Sequence, residues 1–209
     1  AQIVMEEGIG QPILLGRKDV ISDLMESINF HEELTILDPK SDEQLEIKSK
    51  YANLFWNEQK RKGVTLYEAE SLMRERNYFA AMMVKNGDAD AMLSGYSRNY
   101  ASVIKPVLDV VGKDKGISKI AATNMMLTDR GPIFISDTSI NIDPTAKELA
   151  KIGFMTSKIV EMFGIKPVMA MLSYTNFGSS KHPNAGKVTD AVAYLLSLIH
   201  ISEPTRPSQ

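Results

Sequence analysis

Ser94-Gly95-Tyr96-Ser97-Arg98 brings a glycine, two serine hydroxyls and a guanidinium together in one short stretch. A glycine lets the backbone approach a ligand closely, hydroxyls donate hydrogen bonds, and a planar guanidinium can grip a phosphate through two parallel N–H groups. A second cluster, Asp137-Thr138-Ser139-Ile140-Asn141-Ile142-Asp143-Pro144, leaves a run of strand character and enters a helical one. Unpaired amides and the helix dipole favour anions at such a junction. Ser173-Tyr174-Thr175-Asn176-Phe177-Gly178-Ser179-Ser180 repeats that arrangement further along the chain. Turns recruit Ser, Asn and Gly for conformational reasons alone, so any one loop also admits a purely structural reading. Together the three point to a phosphate-bearing ligand. The candidate ligand-binding residues are Ser94, Gly95, Ser97, Arg98, Asp137, Asn141, Ser173, Asn176, Gly178, Ser179 and Ser180; no catalytic residue is assigned.

Other chemistries fail on residue type or spacing. The chain has no cysteine, which removes thiol nucleophiles, disulfides and thiolate metal sites. Gly8-Ile9-Gly10 precedes a strand-like run and has Ile13 where a dinucleotide fingerprint needs its third glycine. Gly186-Lys187 is followed by Val188 and lacks the upstream glycine of a phosphate loop. No paired-histidine motif suggests a metal, and His31 and His182, far apart in sequence, read as surface or satisfied loop residues. Met82-Met83 and Met125-Met126 read as core filler. Lys plus Arg total 24 against 26 for Asp plus Glu, with no long basic block, so no nucleic-acid partner is expected. Apolar runs such as 167–172 fall far short of the ~20 residues a membrane-spanning helix needs. No secretory signal pattern is visible, and the expected location is cytoplasmic.

The loops must be held by regular elements, and the 209 residues, 44% hydrophobic, suffice for one large core or two small ones. Strand-length apolar runs alternate with stretches of helical period, the mark of an α/β fold. Strands are expected at 12–16, 34–37, 90–95 and 167–174. Helices are expected at 19–28, 41–61, 65–85, 99–111, 143–163 and 187–195. The 65–85 helix carries Leu66, Ala69, Leu72, Met73, Phe79, Met82 and Met83 on one stripe, and Gly63 separates it from the helix before. Runs at 119–122 and 131–136 flank Thr128-Asp129-Arg130-Gly131 as a hairpin, which makes the sheet mixed there. Asp143 is the expected N-cap of its helix, with Pro144 at the first helical position. The chain reads as truncated at both ends: 1–8 as the last turns of a helix following a missing strand, and 196–209 as an adapter-derived, non-native tail in which His200 carries no weight.

Gly87-Asp88-Ala89-Asp90-Ala91-Met92-Leu93-Ser94-Gly95, Asp137 with Asn141 and Pro144-Thr145, and Phe163-Gly164-Ile165-Lys166-Pro167 through Leu172-Ser173-Tyr174 resemble motifs of the phosphotransacetylase family, in order. The resemblance covers nearly all of residues 1–195. It implies a three-layer α/β/α sandwich with mixed, mostly parallel sheets, like isocitrate and isopropylmalate dehydrogenases. Two subdomains, 1–105 and 106–195, would flank a ligand cleft, with the seam near 105–117.

Asn176-Phe177-Gly178-Ser179-Ser180 and Arg74-Glu75-Arg76-Asn77-Tyr78-Phe79 resemble the version fused to NADP-dependent malic enzymes. Free acetyltransferases are similar but usually carry a Ser-Thr-Gly-Thr-Ser-Gly-like loop, and often an Arg where this chain has Gln59. Their C-terminal Ser-Arg segment and catalytic Asp have no counterpart in these 209 residues. The resemblance therefore implies a regulatory and oligomerising domain with acetyl-CoA, coenzyme A or an acetyl phosphate-like molecule as ligand, no cofactor or metal of its own, and homo-oligomeric assembly. NADP and a divalent metal would belong to a malic enzyme catalytic domain upstream in the same polypeptide. The alternatives are a fragment of a phosphate acetyltransferase and a structural dimerisation module.

Overall fold

A computed structural model describes residues 1–96, 98–115, 117–175 and 179–202, the side chains of 200–202 excepted. The chain forms two compact units, Ala1–Lys113 and Asp114–Gln209.

In the first unit, α1 (Gln2–Glu6) precedes β1 (Ile13–Leu15), α2 (Lys18–Ser27) and β2 (Thr35–Leu37), and the two strands pair in parallel with Leu14 opposite Ile36. A single turn (Asp42–Gln44) leads into α3 (Leu45–Gln59), and a second (Lys60–Lys62) ends at Gly63, whose φ of 95° reverses the chain in the left-handed region. Thr65 then starts α4 (Leu66–Leu72) with a capping box: its hydroxyl accepts from the Glu68 amide, and Glu68 accepts from the Thr65 amide. The expected 65–85 helix is broken at 73–75. Glu75 caps the amides that begin α5 (Arg76–Asn86), a side-chain signal that the apolar stripe does not carry. The helix α6 (Tyr100–Val110) closes the unit with Pro106 inside it.

The core of this unit gathers Tyr51, Ala52 and Phe55 from α3, Ala69 from α4, Met73, and Tyr78, Phe79, Ala81, Met82 and Met83 from α5, with Val110. Tyr51 meets Phe79 edge-on at 5.3 Å between ring centres, and Phe55 meets Tyr78 at 5.9 Å, the offset geometry that ring quadrupoles favour. The expected strand at 90–95 is extended loop: Ala89 and Met92 pack against the core, yet no neighbouring strand pairs with it among the described residues. Burial of two side chains is not enough to make a strand, which needs a partner for its backbone groups.

In the second unit, β3 (Thr123–Thr128) and β4 (Gly131–Ser136) form the hairpin, antiparallel with Thr128 opposite Gly131. Met125 and Met126 are 44% and 51% exposed, so they are not core filler. They lie on β3, whereas β4 is the strand in contact with α7 (Ala146–Met162), and Phe134 of β4 stacks on Phe163 at 5.4 Å. The cap of α7 is Thr145, not Asp143: the Thr145 hydroxyl accepts from the Glu148 amide at 3.3 Å and Glu148 accepts from the Thr145 amide at 2.9 Å. That reciprocal pair satisfies two donors where Asp143 could satisfy one. Asp143 instead accepts from Lys187 at 2.6 Å. The last helix, α8 (Pro183–Ser202), packs along α7 and is longer at both ends than expected. The run 167–174 forms no strand ladder among the described residues. Met169 and Met171 lie instead over Gly153 of α7, next to Leu195 of α8.

These small elements give an α/β fold with one parallel and one antiparallel sheet among the described residues. No described helix is long and apolar enough to cross a membrane. A side-chain carbon at Gly153 would meet Met171 at 3.0 Å, Met169 at 3.1 Å and Leu195 at 3.2 Å. Gly153→Val should therefore overpack the second unit and lower its unfolding free energy by about 1–3 kcal/mol in urea titrations. Unchanged stability would show that the α7–α8 seam is open.

Candidate functional site

The first candidate loop belongs to the first unit and is pinned to the N-terminus of α5. Ser94 donates from its hydroxyl to Asn77 Oδ1 at 2.9 Å, and Arg98 forms an ion pair with Glu75. Glu75 divides its carboxylate: Oε1 takes Arg98 while Oε2 accepts the Asn77 amide at 2.8 Å. Asn77 is buried, and its side-chain amide also donates to the Ser102 carbonyl at 3.5 Å, so one asparagine joins the loop to α6. Tyr96 is fully open to solvent and Gly95 is exposed, at a φ of 122°. Arg98 uses one terminal nitrogen on Glu75, and the other N–H groups of this half-exposed side chain point to a donor role. Ser97 lies outside the described residues.

The second loop, in the second unit, is organised by Asp137. Its Oδ1 accepts the amides of Ala122 at 3.0 Å and of Ser139 and Ile140 at 3.3 Å. Its Oδ2 accepts both nitrogens of Asn141, the amide at 2.8 Å and the side chain at 2.6 Å. Asn141 donates its second side-chain hydrogen to the Ile120 carbonyl at 2.9 Å. Partial burial alone would raise the Asp137 pKa. The donors on Ala122, Asn141 and Ser139 outweigh it and hold the carboxyl below the ordinary carboxylate range. Such a group is a poor base: its acceptor sites are filled and its proton affinity is lowered.

The third loop feeds α8. Ser173 and Thr175 share a hydrogen bond at 3.5 Å, Tyr174 and Ser180 share one at 3.2 Å, and Ser180 accepts the His182 amide at 3.2 Å. His182 accepts the Asn184 amide on Nδ1 at 3.2 Å and meets Tyr174 edge-on. It is thus a helix-capping residue, placed just ahead of Pro183 at the first helical position. Ser179 is exposed, and Asn176 and Gly178 lie outside the described residues. No hydrogen bond links Asp137 or Asn141 to Ser173, Ser179 or Ser180; the Asp143–Lys187 pair instead ties the second loop to the first turns of α8.

Glu75, Asn77 and His182 act at or beside these loops although none of them is among the candidate ligand-binding residues. Glu75 and His182 could have been found as polar residues directly ahead of helical runs. Gln59 is buried and donates to the Asp109 carbonyl at 2.7 Å, fastening α3 to α6 with no charge. Among the described residues no group of His, Asp and Glu could hold a metal. Among the described loop residues the one carboxylate with a shifted pKa, Asp137, is held in its ionised form by hydrogen-bond donors.

The structure is thus an α/β frame carrying three polar loops at helix starts and glycine turns. The family model for phosphate acetyl/butaryl transferase matches residues 1–198, and the chain belongs to that family. It is 34% identical over 190 residues to the NADP-dependent malic enzyme of Escherichia coli strain K12, covering 88% of this chain and 25% of that protein. It is 32% identical over 206 residues to the phosphate acetyltransferase of Thermoanaerobacterium thermosaccharolyticum, covering 95% of this chain and 62% of that one. The solved phosphotransacetylase of Streptococcus pyogenes superposes with a TM-score of 0.80 at 32% identity, over 95% of this chain and 60% of the other. The chain thus spans a quarter of that malic enzyme and about three fifths of these two acetyltransferase-family proteins.

Replacing Asp137 with Asn would turn one acceptor into a donor facing other donors. At pH 7 it should cost about 1.5–3 kcal/mol of unfolding free energy, the range for hydrogen bonds to a charged group. Because the folded pKa is depressed, the carboxylate's contribution is complete above its unfolded value near about 4 and is lost as pH falls through the folded value. The gap between wild type and Asp137→Asn in urea unfolding should therefore narrow as pH falls below about 4. Equal stabilities at pH 7 would contradict the role given to this carboxylate.

Proposed function

We propose that this chain is the phosphotransacetylase-like regulatory and oligomerising domain of an NADP-dependent malic enzyme, and that it binds acetyl-CoA without transferring the acetyl group. The observation that carries the reading is the polar inventory of the loops. In the first unit Arg98 and the exposed backbone at Gly95 supply donors suited to a phosphate-bearing ligand, while in the second unit the Asp137 carboxylate is filled by five donated hydrogen bonds. Transfer from acetyl phosphate to a thiol needs a group to take the thiol proton and donors aimed at the developing oxyanion. Binding needs only the donors. The neutral Gln59, where free acetyltransferases often carry Arg, agrees with a site relieved of phosphate turnover, and the malic enzyme relatives supply the kind of polypeptide in which such a domain sits. The NADP and divalent metal would serve the separate catalytic domain, and malate oxidation would occur there.

A second reading, a fragment of a phosphate acetyltransferase, is favoured by the similarity to those enzymes over 95% of the chain. The two separate in one experiment on the full-length parent protein: malate oxidation measured with and without acetyl-CoA, beside acetyl phosphate-dependent acetyl-CoA formation. The regulatory reading expects acetyl-CoA to shift malate oxidation by about 5–150-fold in apparent affinity or less, the usual span of coupling between sites, with no acetyl transfer. Arg98→Gln should weaken the acetyl-CoA response about tenfold. Acetyl transfer would establish the second reading. Neither response would leave a structural dimerisation module.

A further inference from the structure

Asn77, in the first turn of α5, is only 6% exposed, and both ends of its side-chain amide are committed: Oδ1 accepts the Ser94 hydroxyl at 2.9 Å and Nδ2 donates to the Ser102 carbonyl at 3.5 Å. The Ser102 carbonyl is open to it for a reason written in the sequence. Its donor within α6 would be the amide of residue 106, and residue 106 is a proline, which has no N–H. A carbonyl can only accept, so it takes the NH2 end of Asn77 and leaves the oxygen end for Ser94. That oxygen also only accepts, so the Ser94 hydrogen is spent on Asn77, and the loop's donors are its guanidinium and its backbone.

The far end of the loop is fixed at the same place. Asn99 accepts the Ser102 amide on its side chain at 2.9 Å, and its carbonyl accepts the Ser102 hydroxyl at 2.9 Å. Glu75 pairs with Arg98 and accepts the Asn77 amide at 2.8 Å. Ser94 and Asn99 are thus joined through Asn77 and Ser102, with the exposed Gly95 and Tyr96 on the chain between them.

We infer that Asn77 is a positioning residue. It sets the span of the 94–99 loop, and with it the placing of the Gly95 backbone and the Arg98 guanidinium, without itself touching a ligand. Its anchor is the carbonyl that Pro106 leaves without a helical donor. The consequence for binding rests on the reading of this loop as the site of a phosphate-bearing ligand.

The test compares Asn77→Leu, Pro106→Ala and the double variant of the full chain by thermal unfolding, by NMR relaxation of the Gly95 and Tyr96 amides, and by titration with acetyl-CoA. Asn77→Leu should unfold at a lower temperature because it orphans the Ser102 carbonyl. Pro106→Ala supplies the missing N–H, so the penalty of Asn77→Leu should be smaller in that background. Binding should follow the loop and not the stability. In both variants that lack Asn77, the Gly95 and Tyr96 order parameters should fall toward the flexible range below about 0.6. Acetyl-CoA should bind them about three- to tenfold more weakly, the loss expected from one hydrogen bond. Ser94→Ala, at an exposed position, breaks the loop end of the link without disturbing the core and should loosen the same two amides. Order parameters unchanged by Asn77→Leu and Ser94→Ala, recovery of binding together with stability in the double variant, or a penalty that Pro106→Ala leaves undiminished would overturn the positioning role. Failure of the wild type to bind acetyl-CoA would instead sink the functional reading, and the order parameters would still decide the role of Asn77.

Discussion

The second unit depends on one half-buried carboxylate. Asp137 follows β4 directly, and its two oxygens collect amides from the chain ahead of β3 and from the turn that leads toward α7. Through Asn141 the same network reaches the carbonyl of Ile120. A loop that leaves a sheet exposes amides that must find acceptors, and one ionised carboxylate serves several at once. The approach to α7 is thereby set, and α7 in turn supplies the surface on which Met169, Met171 and Leu195 meet. A chemistry-bearing residue type has been committed to architecture.

The first unit uses the same logic at smaller scale. Glu75 serves a helix start with one oxygen and Arg98 with the other, and Asn77 joins the Ser94 loop to α6. Side chains of the first candidate loop are therefore held by buried or helix-capping partners, which limits their rearrangement.

Much of this was legible in the sequence wherever a helix had both period and cap. The limits of α2, α6 and α7 fall within a few residues of those the periodicity indicates, and the hairpin follows from its turn residues. Strands at 90–95 and 167–174 were not legible, because a strand exists only with a partner and periodicity cannot say whether one is present. The break at 73–75 depends on a Glu75 side chain turning back to the backbone, and the cap of α7 on a Thr145–Glu148 pair outcompeting Asp143; both are choices between local polar contacts. At the candidate site, the pairing of Asp137 with Asn141 could be anticipated only as two polar residues in one loop. That the pair is self-contained required geometry.

The central claim is that Asp137 is a structural anion rather than a proton acceptor in catalysis. A carbon-detected NMR titration of its side-chain carboxyl tests this most directly, since it reads one group's protonation. The account predicts a midpoint below the ordinary aspartate value of about 3.9, with the Asn141 side-chain amide shifting in step. A midpoint near or above neutrality would mark a carboxyl free to exchange protons and would contradict it.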